Sequence, residues 1–257
     1  MKKVGVIGLG DMGSGIAKNL INNGFETCGF DLSAERLEAF CAMGGTNAKN
    51  VAEVAHGASA VFVMVMTGKQ AKSVIFENNG LAQNLPSGSS IILTATIKPS
   101  EAVEIGLLLE DYDLDLIDSP VSGGFPGAQS GNLTMMAAGA NDTLDSNLDV
   151  MEAVSKTIHR VGLKPGEGQT VKACLQSLIG SIFSATFEAS VLAAKAGIPG
   201  DVLFNVFSTS GAGSGVLNTA LENIIDRKFE GTGSHISTMH KDLTIALDMA
   251  QDLGVPL

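Results

Sequence analysis

The chain has 257 residues, is 45% hydrophobic and 17% charged, and carries a formal net charge of -11. This length accommodates one large or two ordinary domains, and the hydrophobic content excludes a disordered chain. Because an acidic protein repels phosphate backbones and anionic lipid surfaces, neither nucleic acid nor a membrane is an expected partner.

The first half of the chain alternates β-rich runs with helical stretches. Residues 60–66 form a continuous apolar run, which is typical of a strand buried on both faces of a sheet. Alternating strands and helices with short connections predict an α/β fold with a Rossmann-like, doubly wound parallel sheet. Strands are predicted at 3–7, 26–30, 60–66, 90–93 and 114–117, and helices at 14–22 and 34–43.

The sequence changes in character after about Gly162. Residues 167–196 contain no proline, and their apolar residues recur at helical spacing, which predicts one helix of about 28 residues. Gly197 and Pro199 follow where such a helix is expected to end. We therefore predict a sheet domain at 1–163, then a long interdomain helix that opens an all-α second domain at 164–257.

A glycine-rich motif follows the first predicted strand. Gly8, Gly10 and Gly13 form Gly-x-Gly-x-x-Gly, which permits a tight turn, a close approach to a pyrophosphate and close helix–strand packing. The helix that follows supplies N–H groups and partial positive charge for phosphates. A glycine-rich turn without a ligand is the alternative. The expected cofactor-binding residues of this segment are Gly8, Leu9, Gly10, Asp11, Met12 and Gly13.

The end of the second predicted strand indicates which dinucleotide binds. Asp31 is placed there to accept hydrogen bonds from the adenosine ribose hydroxyls, which favours NAD over NADP. Arg36 lies too far into the following helix to reverse this preference, although it leaves NADP possible. A second glycine cluster at 211–215 has no preceding strand and is predicted to be a loop between helices.

A Ser-Gly-Gly sequence follows the last predicted strand. Ser122, Gly123 and Gly124 therefore lie at the carboxyl edge of the sheet, where open α/β sheets bind ligands. Their hydroxyl and backbone N–H groups could hold a carboxylate. An ordinary turn rich in Ser, Gly and Pro would have the same composition.

Two polar residues stand four apart on one face of the long predicted helix. They are Lys172 and Gln176, among apolar neighbours. Lys172 is either a solvated surface charge or a residue of the interdomain cleft that moves a proton to or from a substrate hydroxyl.

Five motifs in chain order resemble the β-hydroxyacid dehydrogenase family, which includes 3-hydroxyisobutyrate dehydrogenase and tartronate semialdehyde reductase. The resemblance covers the whole chain. The motifs are residues 8–13, Thr96-Ile97 with Pro99, residues 118–124, residues 168–172, and Lys241-Asp242-Leu243.

The resemblance implies a role for each matching residue. Lys172 is then the catalytic acid/base, Thr96 lies by the nicotinamide, and Lys241 contacts the cofactor. Met66, at the end of the third predicted strand, belongs to the same expected cofactor-binding set. The expected substrate-binding residues are Ser122, Gly123, Gly124 and Gln176.

One departure from the family pattern narrows the expected substrate. The family usually has Asn four residues after the lysine, and Gln176 at that position resembles the L-threonate dehydrogenase branch. That branch commonly has His just before the Gln, where this chain has Leu175. The expected reaction is NAD-dependent oxidation of a C3–C4 hydroxy acid, L-threonate-like, by hydride transfer. The alternatives are a tartronate semialdehyde or 3-hydroxyisobutyrate-type enzyme and a catalytically silent dinucleotide-binding protein.

Several expectations concern the setting of the protein. Three widely spaced cysteines and four histidines show neither a disulfide framework nor metal-ligand spacing, so we expect reduced thiols and no metal. No stretch approaches the roughly 20 apolar residues that span a bilayer, so we expect a cytoplasmic protein. The resemblance implies a homo-oligomer, a dimer or tetramer. Family members continue through further helices, so the second domain is expected to be truncated at its carboxyl end.

Overall fold

The computed structural model describes residues 1–77, 79–233 and 235–257. Its internal contacts divide the chain into two compact units, Met1–Lys172 and Ala173–Leu257. Within the described residues, the strands of the first unit are β1 Lys3–Ile7, β2 Glu26–Phe30, β3 Thr46–Asn47, β4 Ala60–Val63, β5 Ser90–Leu93, β6 Asp115–Asp118, β7 Val121–Ser122, β8 Leu133–Ala138 and β9 Ser155–Gly162.

These strands form one sheet in the order β3-β2-β1-β4-β5-β6-β8-β7, with β9 paired to β8. Strands β1 to β6 are parallel, which confirms the predicted doubly wound parallel sheet. Strand β8 is antiparallel to β6 and β7 and parallel to β9. This mixed extension was not predicted from the sequence.

Helices connect the strands and make up the second unit. The first unit contains α1 Asp11–Asn22, α2 Ala34–Ala42, α3 Val51–Ala55, α4 Gly68–Phe76, α5 Leu81–Asn84, α6 Pro99–Leu109, a 3-10 turn at Glu110–Tyr112, α7 Gly124–Ser130, α8 Asn141–Ser146 and α9 Leu148–Glu152. Helix α10, Glu167–Lys195, crosses the boundary between the units, and α11 Gly200–Thr209, α12 Gly215–Ile225 and α13 Ile236–Asp252 follow it.

Side chains of the central strands alternate between two hydrophobic clusters, because successive side chains of a strand point to opposite faces. In β4, Phe62 packs into one cluster, whereas Val61 and Val63 pack into the other. This two-sided burial explains the continuous apolar run. The strand ends at Val63, before the predicted end at 66, and Met66 is 51% exposed.

Helix α10 has 29 residues and confirms the predicted long helix. It is long and apolar enough to cross a membrane by length and composition, which corrects the expectation that no stretch would be. One such helix is weak evidence, because core helices of globular proteins reach the same length and composition. Its first turns bury Gln169 and Lys172, whereas Leu178 on a later turn is 59% exposed.

Candidate cofactor-binding and catalytic site

The turn between β1 and α1 requires glycine at two positions. Gly8 has a φ of +89°, and a Cβ there would lie 2.2 Å from the carbonyl oxygen of Met64. A Cβ on Gly13 would lie 1.8 Å from the carbonyl oxygen of Gly8. Both contacts are with backbone, which cannot move aside as a flexible side chain can. The motif thus lets α1 begin directly against the strand that precedes it.

The amino terminus of α1 has the character of an anion site. Gly10 is the N-cap residue, and as a glycine it has no side chain to cap this helix end. The first N–H groups of a helix have no intrahelical acceptor, and the helix dipole adds partial positive charge there. The residues of this turn therefore fit a dinucleotide pyrophosphate.

Asp31 lies just after β2, beside the same turn. Its Oδ2 accepts a hydrogen bond from the backbone N–H of Leu9 at 2.7 Å, and its Oδ1 accepts from that of Ser33 at 2.9 Å. The side chain is only 8% exposed. The carboxylate is therefore held next to the glycine-rich turn, at the strand end where the sequence predicted it.

Arg36 reaches this carboxylate, so the expectation that it lies too far into its helix is wrong. Its Nη1 lies 3.4 Å from Asp31 Oδ2, and its Cζ lies 3.8 Å from where a Cβ on Gly10 would be. Arg36 is in the first turn of α2, and long helical side chains point back towards the helix amino terminus. The guanidinium consequently lies beside the turn, half-exposed.

Two further expected cofactor residues lie after neighbouring parallel strands. Thr96 follows β5 and stands between the fully buried Ala95 and Ile97. Met66 follows β4 with its side chain half-exposed, and its backbone N–H donates to Oε1 of Gln70 at 3.0 Å. Both residues are thus at the carboxyl edge of the sheet, where doubly wound folds bind ligands.

Asp118, the last residue of β6, is fully buried and anchors the start of α10. Its Oδ2 accepts from the backbone N–H groups of Gly166 at 2.8 Å and Gln169 at 3.2 Å. Burial raises the pKa of this carboxyl to about 6, although the hydrogen bonds from Gln169 and Gly166 act in the opposite direction. The N–H groups of Gly166 and Gln169 that donate to Oδ2 favour the ionised form of this carboxyl.

The start of α10 lies directly against the sheet edge. A Cβ on Gly168 would be 2.5 Å from the carbonyl oxygen of Asp118 and 2.6 Å from that of Met136. Lys172, one turn further along, is only 6% exposed. The solvated surface alternative for this lysine is therefore wrong, because nearly all of its surface is buried.

The Ser-Gly-Gly sequence forms a turn that glycine alone adopts readily. Ser122 ends β7, and Gly123 and Gly124 follow with φ of +127° and +57°. An L side chain is strained at such positive φ values. The turn leads directly into α7, whose first residue is Gly124.

In the second unit, Asp242 joins two of the expected site residues. Nε2 of Gln176 donates to Asp242 Oδ2 at 2.6 Å, and Lys241 Nζ lies 2.8 Å from Asp242 Oδ1. Gln176 and Asp242 are both buried. Asp242 received no role from the sequence, although it lies in the Lys-Asp-Leu motif that carried the family resemblance.

A metal site would be built from histidine, cysteine and acidic side chains. The part of the chain that the structure describes contains no group of three or more His, Cys, Asp or Glu side chains suited to a metal ion. Cys28, Cys41 and Cys174 are free, and burial raises the pKa of the Cys28 thiol. Residues 211–214 of the second glycine cluster lie between α11 and α12, as predicted, and Gly215 is the first residue of α12.

Family models match almost the whole chain. Residues 3–162 match the NAD binding domain of 6-phosphogluconate dehydrogenase. Residues 166–257 match the family described as the NAD-binding part of NADP-dependent 3-hydroxyisobutyrate dehydrogenase.

Individual relatives are similar over the same length. The L-threonate dehydrogenase of Escherichia coli K12 is 35% identical over 99% of this chain and 84% of its own length. The NAD-dependent L-serine dehydrogenase of Pseudomonas aeruginosa is 29% identical over 98% of this chain and 86% of its own length. A crystal structure of 3-hydroxyisobutyrate dehydrogenase from Salmonella typhimurium has a TM-score of 0.91 and 32% identity, covering 100% of this chain and 90% of that one.

Proposed function

Because this chain belongs to the β-hydroxyacid dehydrogenase family, we propose that it oxidises a four-carbon sugar acid of the L-threonate type, with Lys172 as acid/base. The family makes it an NAD(P)-dependent dehydrogenase of small hydroxy acids. The observation that carries the finer proposal is the burial of Lys172 in the first turns of α10, next to the sheet edge.

In the proposed mechanism, the residues of this chain bind the substrate and move one proton. Ser122 and the backbone N–H groups of Gly123 and Gly124 hold the substrate carboxylate. Lys172 takes the proton of the hydroxyl group that is oxidised, and Gln176 orients that group. When bound, the nicotinamide supplies the hydride acceptor. The residues contribute mainly by positioning and electrostatics.

The proposal of an L-threonate-like substrate is supported by two observations. The most similar relatives reported above include an L-threonate dehydrogenase at 35% identity. The Gln176 amide, which replaces the usual Asn, is held by Asp242 at 2.6 Å and so has a defined orientation.

The direct test is to follow reduction of NAD and of NADP with L-threonate, D-glycerate and 3-hydroxyisobutyrate. We expect the highest kcat/KM with L-threonate and NAD. The reverse reaction is measured as oxidation of NADH or NADPH with tartronate semialdehyde. A higher kcat/KM in that assay than with any of the three acids would favour a reductase. Absence of turnover with the whole panel, together with normal NAD binding, would favour a silent dinucleotide-binding protein.

Substitution Gln176→Asn tests the assignment of substrate length. Asn is one methylene shorter and cannot keep the 2.6 Å hydrogen bond to Asp242 without movement. We expect kcat/KM for L-threonate to fall about tenfold, with a smaller loss for 3-hydroxyisobutyrate. Equal losses for both acids would show that Gln176 does not discriminate between them.

Substitution Arg36→Gln tests the choice between NAD and NADP. The guanidinium lies 3.4 Å from Asp31 Oδ2 and is half-exposed, so it is available to pair with the 2′-phosphate of NADP. By calorimetric titration, we expect NADP to bind about tenfold more weakly and NAD to change by less than about threefold. The matched control is Arg160→Gln, which breaks an ion pair with Asp145 elsewhere in the first unit. A parallel loss of both cofactors would contradict a role in selectivity.

Further parts of the proposal concern assembly and location. Helices α10 and α11 expose large apolar side chains, including Leu178, Val191, Leu192 and Val206. Exposed apolar surface of this kind supports a homo-oligomer that buries it. We place the enzyme in the cytoplasm, in keeping with three free cysteines.

A further inference from the structure

A buried hydrogen-bond network in the first unit centres on the side-chain amide of Gln169, which is 1% exposed. Nε2 donates to the carbonyl oxygen of Ala95 at 3.0 Å and to Asp118 Oδ1 at 2.8 Å. Oε1 accepts from the backbone N–H of Ile97 at 3.1 Å. One amide therefore binds the residues on both sides of Thr96 and the carboxylate at the end of β6.

The carboxylate determines which way this amide points. Asp118 only accepts when ionised, and its Oδ2 is already used by the N–H groups of Gly166 and Gln169. Oδ1 consequently requires the NH2 end of the Gln169 amide. The oxygen end then faces Ile97, whose backbone N–H needs an acceptor because it is buried.

From this geometry we infer that Asp118 and Gln169 are a positioning pair. Together they hold residues 95–97, which include Thr96, and the turn of α10 that carries Lys172 in one fixed arrangement. Neither residue touches the reacting atoms in the proposed mechanism. Lys172 follows Gln169 by three residues in the same helix, so a shift at Gln169 is transmitted to Lys172. The inference rests on the proposed role of Lys172 as acid/base.

The polarity of the network makes single and double substitutions informative. In Asp118→Asn, a new NH2 group faces the NH2 of Gln169. Turning the Gln169 amide over removes that conflict but places two donors together at Ile97. In Gln169→Glu, two acceptors meet instead. The double variant Asp118→Asn with Gln169→Glu restores a donor opposite an acceptor and keeps an oxygen towards Ile97. It also places a carboxylate oxygen against the carbonyl oxygen of Ala95, so recovery is expected to be partial.

We expect each single variant to lower kcat about 10²-fold, because a displacement of about 1 Å at a reacting group has this effect. The Kd of NAD should change by less than about threefold, and the substrate deuterium isotope effect on kcat should rise as hydride transfer becomes slower. The double variant should recover about tenfold over the poorer single variant. Amide hydrogen exchange at Ile97 should accelerate in both single variants and slow again in the double variant.

Asn147→Ala is the matched control. It removes another buried amide, which donates to Ser90 Oγ at 2.8 Å at the amino-terminal end of β5, whereas Ala95 lies beyond the carboxyl end. This variant should lower the Tm and leave kcat within about threefold. If kcat, KM and Tm fell together in all variants without recovery in the double variant, the pair would be structural only. Faster amide hydrogen exchange at Ile97 with unchanged kcat in the single variants would overturn this inference and leave the proposed function intact. Absence of turnover in the parent enzyme would overturn the proposed function.

Discussion

Replacing Lys172 with Met is expected to lower kcat for hydroxy acid oxidation by about 10³-fold, within the range that a lost acid/base causes. Lys172 is 6% exposed, and Met preserves most of its apolar stem while removing the amine. The fold and the affinity for NAD should therefore persist, with the Kd of NAD within about threefold of the parent. Steady-state kinetics and calorimetric titration of NAD measure the two quantities separately.

The matched control for this substitution is Lys195→Met, at the exposed carboxyl end of the same helix. It should leave kcat unchanged. In Lys172→Ala, which leaves space near the lost amine, added methylamine should restore part of the activity. Parent-like turnover in Lys172→Met would show that another group moves the proton, and loss of NAD binding would indicate a structural role.

Substitution Gly13→Ala is expected to weaken NAD binding by about 10²-fold, since overpacking costs a few kcal/mol and each 1.4 kcal/mol is tenfold in affinity. The new Cβ would lie 1.8 Å from the carbonyl oxygen of Gly8. Helix α1 and the strand end must then separate, which moves the N–H groups that bind the pyrophosphate. Calorimetric titration of NAD and a thermal melt report affinity and stability.

Gly211→Ala is the control for the cost of removing a glycine. A Cβ at Gly211 meets nothing within 4 Å among the described atoms, and no positive φ is recorded there. This variant should bind NAD as the parent does. If Gly13→Ala bound NAD equally well, the glycine-rich turn would not be the pyrophosphate site.

The most accurately predicted elements are those that depend on the hydrophobic pattern of a few adjacent residues. The bounds of β1, β2 and β5 agree with the predicted runs, because apolar patterning within a few residues decides burial in a parallel strand. The long helix α10 was also predicted closely from helical spacing and the absence of proline. Strands β3, β7, β8 and β9 were missed. Strands β3 and β7 have only two residues each, and β8 pairs out of chain order, so their formation depends on distant partners.

The candidate site divides in the same way. The glycine motif, Asp31 and Lys172 were singled out from the sequence because each belongs to a motif in which residue type and spacing indicate the chemistry. Asp242 and Gln169 received no role, since the role of a buried amide or carboxylate depends on its hydrogen-bond partners, which the sequence does not show. The prediction that Arg36 lies too far along its helix was wrong, because spacing along the chain says little about where a long side chain reaches.

Amino-acid order alone was sufficient for the α/β architecture, the dinucleotide turn and the family, since these follow from periodicity and from motifs of adjacent residues. It left open whether Lys172 is solvated, which carboxylate lies beside Arg36, and what holds Thr96. Asp31 and Arg36 are close in the chain, and their contact depends on the reach of the Arg36 side chain. What holds Thr96 depends on groups separated by more than 50 residues, namely Gln169 with Ala95 and Asp118. Packing of the sheet edge against the first turn of α10 brings these groups together, and buried polar atoms must then find partners there.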